Sequence, residues 1–158
     1  MPIVIKPSVE IESNYKNGLE VIRNIEKYGR VCYKSESKTK EKSAENFVRS
    51  AIRRGHFSII EHEKITARII CDRGVSHEIV RHRVGSYSQE STRYCDYSKG
   101  GPMQVIEPFF FADNHDRYDL WLDAMRAAEA AYKDLRELGA TPEQARSVLP
   151  NSLKTEMV

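Results

Sequence analysis

The sequence predicts an α+β fold, with several helices packed on a small antiparallel sheet. Two helical stretches place apolar residues three and four apart, as in Leu19, Ile22, Ile25 and Tyr28. Another stretch, Ile65, Ala67, Ile69 and Cys71, alternates at the two-residue period of a strand. Glycines follow the helical stretches as stop signals. A chain of 158 residues, 40% hydrophobic and 30% charged, has the length and apolar content for one packed domain, taken as 1–158.

Ile3 to Ile5 reads as a short edge strand. Asn17 to Tyr28 carries the first helical stripe, with Gly29 as its stop. Lys34 to Lys40 has no apolar residue and is a surface loop. Ser43 caps a second helix with Ala44, Phe47, Val48, Ala51 and Ile52 on one stripe, ended by Gly55. His56 to His62 is a connector containing Ser58. From Lys64 a strand runs through Cys71, and Asp72-Arg73-Gly74 turns the chain. Ser76 then caps a helix that delivers Arg81, His82 and Arg83. Ser98 to Pro102 is a loop, and Val105-Ile106 a second strand. A long helix follows from His115 to Leu138, with Tyr118, Trp121, Leu122, Met125, Ala128, Tyr132, Leu135 and Leu138 as its apolar face and Gly139 as its stop. Thr141-Pro142-Glu143-Gln144 starts another, with a Thr cap, Pro at the first position and Gln at the third. Leu149, Leu153 and Met157 carry a helical stripe to the last residues.

The 25 basic residues nearly cancel the 23 acidic ones, leaving a net charge of +2. That balance suits bulk binding of nucleic acid poorly, so no nucleic-acid partner is expected. No apolar run approaches the roughly 20 residues that cross a bilayer, and Met1 to Lys6 turns polar too early for a secretion signal. No membrane partner is expected either. Cys32, Cys71 and Cys95 are odd in number and widely spaced, which disfavours a disulfide framework and makes the cytoplasm the expected location.

Chemistry concentrates in Arg81-His82-Arg83-Val84-Gly85-Ser86-Tyr87-Ser88-Gln89-Glu90-Ser91-Thr92-Arg93-Tyr94. A guanidinium offers two parallel donors to phosphate or carboxylate oxygens. Gly85 and the neighbouring hydroxyls let the backbone approach an oxyanion. The stretch suggests a pocket for an anionic small molecule or nucleotide; a solvated basic helix end is the plainer alternative. His77-Glu78 with His82 imitates a zinc helix, but a gap of five turns the imidazoles about 140° apart, so no metal is expected. Cations near Cys95 favour a thiolate, yet no histidine is placed by spacing to act as its base.

Arg81-His82-Arg83, seven residues and then Ser91 form the signature of the flavin-dependent thymidylate synthases, and the chain resembles that family. Arg54-Gly55-His56 and Glu61-His62 upstream, Ser88 to Tyr94 within and Ala145 to Pro150 downstream fit the same pattern, from about residue 15 to the last. The resemblance implies conversion of dUMP to dTMP, with methylenetetrahydrofolate as carbon donor, FAD as hydride source and NADPH as the reductant of the flavin. It implies that Arg81, His82 and Arg83 hold FAD, with Ser58 and Gln89 contributed by neighbouring subunits of a homotetramer. Gln89, Glu90, Ser91, Thr92 and Arg93 would form the dUMP loop, Ser91 and Arg93 gripping the phosphate. Arg81 and Arg146 would add nucleotide contacts, Arg146 oriented by Glu143. No enzyme cysteine attacks the pyrimidine in this family. Glu78 stands where some members carry Gln, and an anion there needs an arginine partner to sit beside a phosphate. Members continue into a segment whose arginine polarises the uracil ring. The chain is therefore expected to be C-terminally incomplete, with that catalytic arginine beyond Val158.

Two other classes of function use the same residues. One is a non-catalytic nucleotide- or flavin-binding remnant of the family, which would bind flavin without turnover. The other is a nucleic-acid binder built on the basic loop, which a steep salt dependence would reveal.

Overall fold

The computed structural model describes residues 1–14 and 17–158; Tyr15, where the family resemblance begins, lies outside the described residues. The fold is α+β, and the chain forms two compact units, Ile11–Thr66 and Met1–Glu10 with Ala67–Val158.

In the Ile11–Thr66 unit, helices α1 (Gly18–Val31) and α2 (Ser43–Arg53) pack with a 3₁₀ segment, Phe57–His62. Asn17 caps α1, its side-chain oxygen accepting from the Glu20 amide at 3.1 Å. Ile25, Val48 and Ile59 form the core, with Phe47 and Ile60 against it. Gly29 does not stop α1; the helix runs two residues further, to Val31. A Cβ at Gly29 would lie 2.6 Å from the Phe47 ring and 2.7 Å from Ile59, so the glycine is there for close packing. One turn from Glu26, Arg30 bonds its carboxylate at 2.8 Å in a buried pair and lies over the Phe47 ring.

In the other unit, β1 (Ile3–Ile5) and all but the last residue of β2 (Ser8–Ile11) precede β3 (Ala67–Asp72), α3 (Arg73–Ile79), β4 (Gln104–Ile106), α4 (His115–Glu137), α5 (Pro142–Ala145) and β5 (Lys154–Met157). The strands form a β2-β3-β5 sheet and a β1-β4 pair. β3 and β5 are antiparallel, with Ile69 opposite Met157 and Cys71 opposite Thr155. β1 and β4 are parallel, a pairing across about a hundred residues that no local pattern announces. Met103, Val105, Met125 and Leu153 make the core, with Trp121 and Tyr97 packed on it.

Four expectations change here. Ser43 is the first residue of α2 and not its cap; Lys42 holds the cap position, and the Ser43 hydroxyl bonds back to the Lys40 carbonyl at 2.9 Å. The Asp72-Arg73-Gly74 turn is the start of α3, and its cap is Asp72, which accepts from the Val75 amide at 2.7 Å. Ser76 instead lies inside the helix, bonding back to the Arg73 carbonyl at 2.9 Å. The stripe of Leu149, Leu153 and Met157 is not helical. Pro150 has no N–H to give a helix, and beyond it Leu153, Thr155 and Met157 are buried while Lys154 and Glu156 are not, the alternation of a strand. The expected cap at Thr141 is present in full: Gln144 and Thr141 bond each other reciprocally, with Pro142 at the first position.

Candidate functional site

The stretch from Arg81 to Tyr94 leaves α3 and returns along β5. Val80 ends α3, so Arg81 and His82 stand in turns, their amides bonded to the carbonyls of Glu78 and Ile79 at 3.1 and 3.0 Å. All three Arg-His-Arg residues are exposed. Among the described residues their side chains make no hydrogen bond or ion pair. Tyr87 folds back over the turn and donates to the His82 carbonyl at 2.7 Å. Gly85 permits this, because a Cβ there would meet the Tyr87 hydroxyl at 2.7 Å.

Residues 88–90 then pair with β5. Ser88 and Val158 exchange both backbone bonds at 2.8 Å, and the Glu90 amide donates to the Glu156 carbonyl at 2.9 Å. Successive side chains point to opposite sides, as on any extended segment. The Gln89 amide nitrogen donates inward to Ser76 Oγ at 2.8 Å and Thr155 Oγ1 at 3.2 Å. The Glu90 carboxylate accepts from Tyr97 Oη at 2.7 Å and Lys154 Nζ at 2.9 Å. Burial and this carboxylate hold the Tyr97 phenol well above the ordinary tyrosine range.

Ser91 begins a turn whose hydroxyl accepts from the Arg93 amide at 3.3 Å, and whose carbonyl receives the Tyr94 and Cys95 amides. Two guanidiniums attend it. Arg146, just past α5, reaches Thr92 Oγ1 at 3.4 Å, and Arg93 pairs through Nε with Glu143 Oε1 at 2.9 Å. Glu143 therefore engages Arg93 and not Arg146, because Arg93 rises from the loop to the first turn of α5. The arrangement brings Gln89, Glu90, Ser91, Thr92, Arg93 and Arg146 together. Glu78 is exposed on α3. Ser58 belongs to the Ile11–Thr66 unit, exposed on its 3₁₀ segment.

Sequence reasoning missed Arg73, Tyr97 and Lys154. Arg73 Nη1 bonds the Glu90 carbonyl at 3.2 Å. Lys154 stands 64 residues from Glu90, and only its place on a strand, misread as a helix, could have pointed to it. Cys71 is buried, and burial followed by the neighbouring Asp72 pushes its thiol up, away from the nucleophilic thiolate. Among the described residues no three His, Cys, Asp or Glu side chains are grouped to hold a metal, and no helix is long and apolar enough to cross a membrane.

A family model described as "Thymidylate synthase complementing protein" matches residues 19–158. The flavin-dependent thymidylate synthase of Thermococcus onnurineus is 36% identical over 123 residues, 75% of this chain and 49% of the relative. That of Geobacter sulfurreducens is 34% identical over 136 residues, 82% of this chain and 58% of the relative. The chain spans about half to two thirds of the length of the curated relatives it matches. Among solved structures, a UMP/dUMP methylase PolB from Streptomyces cacaoi bound with 5-Br dUMP superposes with a TM-score of 0.77. It is 23% identical, covering 98% of this chain and 72% of that one, and so shares the fold.

Proposed function

Since the chain belongs to the flavin-dependent thymidylate synthase family, we propose that it carries the nucleotide- and flavin-binding part of an enzyme that reductively methylates dUMP to dTMP. The observation that carries this reading is the Ser91–Arg93 turn, held on β5 and flanked by the guanidiniums of Arg93 and Arg146. Two charge-assisted forks aimed at one dianion contribute about 1.5–3 kcal/mol per bond, enough to dominate the binding of a nucleoside monophosphate. Ser91 supplies a hydroxyl at the same loop, while buried Thr92 receives Arg146 and the Gln89 amide nitrogen is turned inward to Ser76 and Thr155.

The chemistry of Arg81, His82 and Arg83 fits a flavin dinucleotide. They are exposed donors on a turn fixed by Tyr87, and their side chains are free of partners among the described residues. A pyrophosphate is the anion such a set takes up. Bound FAD would supply the hydride, with methylenetetrahydrofolate bringing the carbon and NADPH restoring the flavin. The chain's own part is to hold both anions and orient the pyrimidine, without a cysteine nucleophile. Ser58, and Gln89 through its remaining amide oxygen, would complete the flavin site across subunits of a homotetramer in the cytoplasm.

The test begins with the purified chain: a yellow flavin spectrum and tritium release from labelled dUMP in the presence of the co-substrates. Flavin without turnover would leave a binding module, and neither would refute the reading. Arg93→Ala should weaken dUMP about tenfold or more with FAD unchanged, and Arg83→Ala the reverse. Equal loss of both ligands in both variants would overturn this division of the site.

A further inference from the structure

Glu90 sits beside the residues that grip the phosphate in the reading above, yet all its polar groups are taken. Its amide bonds the Glu156 carbonyl, and its carbonyl receives Arg73. One carboxylate oxygen accepts from Tyr97 and the other from Lys154. The pair is largely out of solvent, the Lys154 and Glu90 side chains being 17% and 18% exposed. Tyr97 is in turn rooted in the core: its ring stands edge-on to Tyr132, whose hydroxyl accepts from the Tyr97 amide. To touch a nucleotide, Glu90 would have to shed Tyr97 or Lys154 and bring a bare carboxylate to a phosphate, a repulsive arrangement. Held on the face opposite Gln89 and neutralised, the same carboxylate ties the loop through Lys154 to β5 and through Tyr97 to the core at once.

We propose that Glu90, Tyr97 and Lys154 are positioning residues, a clamp that fixes Ser91–Arg93 for the nucleotide phosphate, and that Glu90 is not itself a nucleotide ligand. The proposal rests on the reading of that loop as the dUMP site. A cleft of about 230 Å³, lined by Glu90, Tyr97, Lys99, Gly100, Met103 and Lys154 among others, opens beside the clamp. The clamp is thus reachable by a small cation from solvent, which gives its test a chemical handle.

The experiment compares wild type, Tyr97→Phe and Lys154→Ala as full chains, measuring dUMP and FAD affinity by titration and loop order by hydrogen–deuterium exchange. Tyr97→Phe keeps the ring in the core and loses only the hydroxyl. The clamp predicts dUMP dissociation constants raised about tenfold in both variants, with FAD within about twofold. It predicts faster exchange of the Glu90, Tyr94 and Cys95 amides, whose bonds hold the turn, and an unchanged pattern elsewhere. Ethylammonium, but not sodium at equal ionic strength, should restore dUMP affinity to Lys154→Ala by entering the cleft. Unchanged dUMP affinity, or equal weakening of both ligands with exchange accelerated throughout, would overturn the clamp, as would Lys154→Ala that ethylammonium fails to rescue. If wild type binds no dUMP, the functional reading fails. The exchange then decides the clamp alone: acceleration confined to the loop sustains it, and no change refutes it.

Discussion

At the scale of single residues, the Arg93–Glu143 pair is the contact whose effect on ligand binding is easiest to isolate. Arg93 would grip a phosphate, but a carboxylate already occupies one edge of its guanidinium. Both side chains are about half exposed, so the pair contributes only about 0.2–1 kcal/mol and salt weakens it. A phosphate dianion must either displace Glu143 or share the guanidinium with it. If it displaces Glu143, Glu143→Gln should tighten dUMP up to about fivefold at low ionic strength. The advantage should fade as salt rises. Weaker binding in the variant would mean that Glu143 instead holds Arg93 in its binding posture. The family signature could name Arg93 and Glu143 separately. It could not say that they meet, because that depends on how far the loop rises toward α5.

At the scale of elements, Gly29 shows where local reading reaches its limit. A glycine after a helical stripe is a sound stop signal, but here α1 continues because α2 lies against it too closely for any side chain. Gly29→Ala would force its methyl into the Phe47 ring and Ile59, both part of the core around Val48. The helix-propensity gain of roughly 1 kcal/mol for Gly to Ala is then outweighed by overpacking, about 1–3 kcal/mol. Urea unfolding should show net destabilisation of up to about 2 kcal/mol; a gain in stability would show that Phe47 moves aside without cost. β5 failed for a related reason. Leu149, Leu153 and Met157 satisfy a helical period, while Leu153, Thr155 and Met157 satisfy a strand period, and only pairing with β3 decides between them. Where local punctuation is unambiguous the element was legible, as at Thr141, whose cap, Pro142 and Gln144 all stand as read.

At the scale of the whole molecule, several polar ties join residues far apart in the sequence and hold carboxylates in their charged form. Within the unit of Met1–Glu10 and Ala67–Val158, Arg136 bonds Asp96 at 2.8 Å across 40 residues, and with Ser98 it keeps that carboxyl well below the usual range. Arg68 lowers the carboxyl of Glu156. Burial raises the carboxyl of Glu129, but bonds from Lys133, the Met103 amide and the chain's amino terminus outweigh it. A carboxyl lowered by folding stabilises the fold fully above its unfolded pKa, about 3.9 for Asp and 4.3 for Glu. That stabilisation is lost as pH falls through and below these values. The melting temperature should therefore hold between pH 6 and 8 and fall steeply below about pH 4.5. Asp96→Asn isolates one contribution, since it keeps the shape and removes the charge. It should melt several degrees below wild type at pH 6, and the gap should narrow as pH approaches 3, where the wild-type carboxyl increasingly takes up protons on unfolding. A gap that stays constant to pH 3 would show that Asp96 acts through its hydrogen-bond geometry alone, without the charge that Arg136 holds in place.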